Sequence, residues 1–169
     1  MLDVPDPAAS WAMIPDLSAR AAVSDIRWTG LTRWRDLLAQ FFDMTEVRGE
    51  LTSVDLLEVR GSDRPHGLLL AGWLRDRLPA ARHLRFEHHA SAGGPLQLVR
   101  LSGSGGSLSL ELLEGGSCVR TAMLLKSAGA GARIVPIDAG TAVGLLTDEL
   151  RLRARDMAFE HAAQEALRL

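Results

Sequence analysis

A single cysteine, Cys118, stands in a chain of 169 residues. A lone thiol excludes an intramolecular disulfide and any zinc site built on several cysteines. A surplus of charge is missing too. Nineteen Lys and Arg stand against 21 Asp and Glu, a formal net charge of −2, so the basic footprint expected of a nucleic-acid binder is absent. No apolar run approaches the roughly 20 residues that a membrane-crossing helix needs. At the N-terminus, Asp3, Pro5, Asp6 and Pro7 occupy the place where a secretory signal would have a basic region and an apolar stretch, which points to the cytoplasm. The remaining composition, 47% hydrophobic and 24% charged, suits one soluble domain with a core large enough to fold without covalent staples.

The most informative stretch runs from Ser24 to Asp43, where Trp28 and Trp34 alternate with Arg27, Arg33 and Arg35. Leu31, Trp34, Leu37, Leu38, Phe41 and Phe42 recur at helical spacing and form one apolar face, while Arg33, Arg35, Asp36 and Gln40 fall on the other. An extended Ile26–Thr29 segment is expected to turn at Gly30 into this helix, with Thr32 as its cap. Taken alone, the segment reads first as a core helix whose tryptophans are packing; Arg and Trp are also favoured at interfaces, which makes Trp28, Arg33 and Arg35 the partner-binding candidates should the segment serve a partner. Trp34 and Trp73 share a side with leucines in their helices and are expected in the core.

The remaining chain reads as strand, helix, four strands and two helices. Residues 1–23, rich in Pro, Ala and Asp, suggest an extended arm around Trp11 and Ile14, followed by a single domain over 24–169. Val54–Arg60 suits a strand. Ser62–Pro65 starts a helix running over His66–Leu78, in which Gly67 and Gly72 suggest close approach to another element. Arg82–His89 alternates as a strand, so this unit is a βαβ crossover with parallel pairing. Leu96–Leu101, Leu108–Leu113 and Cys118–Leu125 follow as hairpins, with Ser102–Ser107 a flexible loop. Leu108, Leu110 and Leu112 alternate with Ser109 and Glu111, which predicts a sheet with one buried and one open face. Ala128–Arg133 reads as a loop and Ile134–Ile137 as an edge piece broken by Pro136. Thr141–Arg153 and Asp156–Leu167 close the chain as two helical segments, capped by Thr141 and Asp156. The fold class is α+β, a mostly antiparallel sheet with a βαβ start and helices packed on one face.

Candidate chemistry is sparse. In Glu87-His88-His89, neighbouring strand residues point to opposite faces, so the two histidines cannot share one metal ion, and no metal site is expected. His66 and His161 are solitary. Ser102–Ser107 joins strand to strand and lacks the helix N-terminus and lysine of a phosphate loop. Gly129-Ala130-Gly131 precedes an extended segment and makes no dinucleotide fingerprint. No local pattern combines nucleophile, base and orienting group, so neither catalytic residues nor a cofactor are assigned. A different reading, a small-molecule-binding or enzymatic domain, would use the open sheet face near His88.

Three ordered segments carry a family resemblance. They are Asp25 to Asp43 with its Trp28-Thr29, Leu31-Thr32 and Trp34-Arg35 pairs, Leu68-Leu69-Leu70-Ala71-Gly72-Trp73-Leu74-Arg75-Asp76-Arg77-Leu78, and Asp148-Glu149-Leu150-Arg151-Leu152. Together they resemble the C-terminal half of the OpcA family, the glucose-6-phosphate dehydrogenase assembly proteins. The resemblance implies a non-catalytic assembly or allosteric activator. Its partner would be glucose-6-phosphate dehydrogenase, the NADP-reducing entry enzyme of the oxidative pentose phosphate pathway. Self-association is left open.

Overall fold

A computed structural model of the protein describes residues 7–137, 144, 147 and 155–169. The N-terminal segment is helical rather than extended, with α1 over Pro7–Ala12 and α2 over Ile14–Ser18. Each proline lies in a first turn, where its missing N–H is no loss. Trp11 and Ile14, three positions apart, are both buried in the common core. The Ile26–Thr29 segment is also helical, as α3 over Ile26–Gly30, which joins α4 (Thr32–Asp43) through Leu31 alone. Leu31 has helical dihedrals and its N–H donates to the Arg27 and Trp28 carbonyls. The chain therefore never leaves helical geometry, and neither a turn at Gly30 nor a cap from Thr32 is used. The capping side chain sits one helix earlier, where Asp25 accepts from the Arg27 N–H. A short helix α5 (Thr45–Glu50) follows, unforeseen in the sequence.

β1 (Val54–Gly61), α6 (Arg64–Arg77) and β2 (Arg85–Ala90) form the expected crossover, with β1 and β2 parallel. β3 (Leu98–Gly103), β4 (Gly106–Leu112), β5 (Cys118–Leu125) and β6 (Gly129–Pro136) extend the sheet antiparallel in the order β2-β1-β3-β4-β5-β6. Two loop assignments give way to strand. Residues 129–133, expected as loop, pair with β5 from Leu125↔Gly129 to Thr121↔Arg133, because a run of glycine and alanine meets no steric obstacle to extended pairing. Most of Ser102–Ser107 is ladder, and only Ser104 and Gly105 lie between β3 and β4. A Cβ at Gly105 would lie 1.9 Å from the Glu50 carbonyl oxygen, so this position lets the hairpin tip approach α5.

One face of the sheet carries Leu57, Val59, Val99, Leu101, Leu108, Leu110 and Val119, all fully buried. Against it lie Trp34, Leu37, Leu38 and Phe41 of α4 and the leucines of α6. Trp34 is in the core as expected, whereas Trp73 is only partly buried at its margin. The last described helix, α7 (Met157–Ala166), packs closely on α6, and Asp156 caps it by accepting from the Phe159 N–H at 3.0 Å. A Cβ on Gly72 would lie 2.0 Å from the Ala162 carbonyl oxygen, which is the close approach that its glycine suggested. The helical segment expected over 141–153, with its cap at Thr141, lies outside the described residues except for Gly144 and Thr147, both helical.

Candidate functional site

The Trp- and Arg-rich stretch is where chain-distant elements meet. Asp25, with no exposed surface, accepts from the Trp11 indole N–H at 3.1 Å with one oxygen and from the Arg27 backbone N–H at 2.9 Å with the other. Arg27 then donates to Asp63 at 3.0 Å, and His66 lies 2.5 Å from the same carboxylate oxygen. Burial pushes the Asp63 carboxyl up. Hydrogen bonds from His66 and Arg27, with the charges of both, outweigh burial and hold it below the usual carboxylate range.

Trp28 turns inward. It is 3% exposed, its indole N–H donates to Asp156 at 2.7 Å, and its ring tilts against Phe159 with centroids 5.9 Å apart. The Arg35 guanidinium lies over the Trp28 ring at 3.5 Å and donates to Thr32 Oγ1 at 3.1 Å. Burial lowers the Arg35 pKa, against the opposing pull of Asp156 and Asp36, though an arginine stays charged throughout. Its cation is therefore held by a π face and by neighbouring carboxylates. Of the three candidate partner-binding residues, Trp28 and Arg35 are engaged inside the fold. Arg33 alone is exposed.

Arg33 borders a cleft of about 490 Å³ between α4 and the end of β6, whose other walls include Asp36, Leu37, Gln40, Val135 and Ile137. A second cleft, of about 420 Å³, continues past Gln40 along α4 to Phe41, Met44, Thr121, Met123 and Arg133. Arg133 spans it by donating to Gln40 Oε1 at 2.7 Å. The sequence gives no sign of this cleft, because the residues around Arg133 read as loop. The position of Arg133 on β6 is what turns it towards α4.

The histidines separate as strand alternation requires. His88 shares the helix-covered face with its partner Val59 and lies 3.1 Å from the Gly61 carbonyl oxygen, so a site on the open face does not include it. His89 points to the open face with Glu87 and Glu58, and the ligating atoms of these three lie within 4.8 Å of one another. Cys118, half-buried, opens β5 as expected.

The family model that describes the C-terminal domain of the glucose-6-phosphate dehydrogenase subunit matches residues 21–163. No curated protein matches the chain. The matched span contains Asp25, Trp28, Arg35, Asp63 and Asp156, and so the polar contacts that tie α3 to α6 and α7 lie within it.

Proposed function

The chain belongs to the OpcA family, matching the C-terminal domain of the glucose-6-phosphate dehydrogenase subunit, and from that premise we propose that it is a non-catalytic protein that binds glucose-6-phosphate dehydrogenase and favours its active assembly. It would act in the cytoplasm, on the first step of the oxidative pentose phosphate pathway. The family match over residues 21–163 carries the reading. A protein that binds one conformational or oligomeric state of an enzyme better than another shifts the population towards that state by its difference in affinity, without taking part in the chemistry.

The contact surface that fits best is the solvent side of α4. Arg33 projects there at the border of the cleft lined by Leu37, Val135 and Ile137, where its fork of donors can meet a carboxylate on the partner. Trp28 and Arg35 support this surface from behind. By fixing α3 and the first turn of α4 against Asp156, they set where Arg33 stands.

The test uses the full chain and the dehydrogenase of the same organism, with binding, oligomeric state and activity measured together. The wild type should bind and raise activity, more weakly as salt increases. Arg33→Glu should leave the thermal midpoint within about 2 °C, consistent with a surface change of under roughly 0.5 kcal/mol, and weaken binding. A wild-type chain that neither binds the enzyme nor changes its activity or assembly refutes the function. Undiminished binding of Arg33→Glu moves the surface elsewhere and leaves the partner standing.

A further inference from the structure

The open face of the sheet carries an unbalanced group of ligands at its β1–β2 edge. Parallel register sets Glu58 directly opposite Glu87, and His89 follows Glu87 on the same face. Opposed carboxylates on neighbouring strands repel, and elsewhere on this face acidic charge is matched. Glu111 is paired with both Arg60 and Arg120. Among the described residues Glu58 is paired with Arg100 alone, at 3.8 Å. Neither the Glu87 nor the His89 side chain has a hydrogen-bonded or ionic partner among the described residues. Arg60, opposite His89, pairs with Glu111 at 3.7 Å.

We infer that Glu58, Glu87 and His89 form a binding site for a first-row divalent cation of the zinc type. One imidazole nitrogen and two carboxylates are a donor set that such ions accept, and three protein ligands leave a fourth position open. The ligating atoms, within 4.8 Å of one another, need to close to about 3.4 Å, the separation that tetrahedral bonds of about 2.0–2.1 Å imply. Glu87 and His89 are exposed and Glu58 is half-buried, so side-chain rotation achieves this without moving the backbone. The ion would also cancel the repulsion between the two carboxylates. This inference is independent of the partner assignment, because β2 and β1 lie at the opposite edge of the sheet from the clefts beside α4 and β6.

Calorimetric titration of the tag-free full chain with Zn²⁺ alone tests it. One equivalent should bind with a dissociation constant on the order of micromolar. Loss of a metal's supporting hydrogen-bond partner typically lowers affinity about 10–100-fold, so loss of a ligand in His89→Ala or in Glu58→Gln/Glu87→Gln should lower it at least tenfold. His88→Ala, altered on the covered face, and Cys118→Ser should each retain the equivalent. Far-ultraviolet circular dichroism checks that every variant is folded. The inference is overturned if the wild type takes up no zinc at a free concentration of about 100 μM, or if His89→Ala binds as the wild type does. It is equally overturned if Cys118→Ser abolishes the uptake.

Discussion

Trp28 holds two roles at once, as an apolar ring in the core and as a donor to the cap of a distant helix. Its indole N–H reaches Asp156, whose other oxygen caps α7, so one carboxylate ties residue 28 to the last helix. A second carboxylate does comparable work nearby. Glu160, whose side chain is 4% exposed, receives two hydrogen bonds from Arg155, at 2.9 and 2.5 Å. The Arg155 hydrogen bond is the largest influence on its pKa and lowers it. Burial opposes this, and the Arg155 charge and a Ser18 hydrogen bond add to the lowering, so the carboxyl ends below its ordinary value. A carboxylate whose folded pKa is depressed adds stability in full above the unfolded value of about 4.3 and loses it as pH falls towards the folded value. Glu160→Gln should therefore be less stable than the wild type at pH 7, with the difference shrinking as pH is lowered through 4. Urea denaturation at pH 7 and near pH 3 checks this, and an unchanged difference between the two pH values would refute it.

Among the described helices, α6 and α7 pack together most extensively, and a missing side chain permits it. The space that a Cβ at Gly72 would need is occupied by the Ala162 carbonyl and the Ala166 nitrogen, at 2.0 and 2.8 Å. Backbone cannot yield as a flexible side chain can. Gly72→Ala should force the helices apart and cost about 1–3 kcal/mol, even though alanine is the better helix former by nearly 1 kcal/mol. Gly49→Ala in α5, where nothing lies within 4 Å of the added Cβ, is the control. It should be neutral or stabilising. Chemical denaturation of both variants decides the point, and a stable Gly72→Ala would mean that the α6–α7 contact adjusts freely.

At the scale of the molecule, residues 7–23 belong to the fold, although they largely precede the family-matched span. Trp11 is 1% exposed and Ile14 fully buried, both in the common core, and Trp11 supplies a hydrogen bond to the buried Asp25. Removing residues 1–23 would open the space filled by an indole and leave the Asp25 carboxylate short of a donor. The loss should be at least about 3 kcal/mol, the lower range for deleting a buried Trp, with the unpaired carboxylate adding to it. A truncated chain with an unchanged denaturation midpoint would show that the segment is dispensable. Among the described residues no helix is long and apolar enough to cross a membrane.

Local patterns carried much of this architecture. The apolar spacing of Trp34, Leu37, Leu38 and Phe41 marked α4, and the alternation around Leu108 and Leu110 marked a half-buried sheet. Strand geometry alone separated His88 from His89. These hold because helix and strand periodicities are properties of the backbone and need no partner to be read. The family resemblance, too, was legible in ordered residues. What pairing decides was not. Gly129–Arg133 has the composition of a loop and becomes strand only because β5 offers a ladder. Arg35 and Trp28 look like a surface pair until Asp156, 128 residues beyond Trp28, draws the indole inward. Likewise, Glu58 meets Glu87 and His89 only through the register of β1 on β2. Contacts between distant segments depend on how elements are placed in space, and that placement is a property of the assembled core.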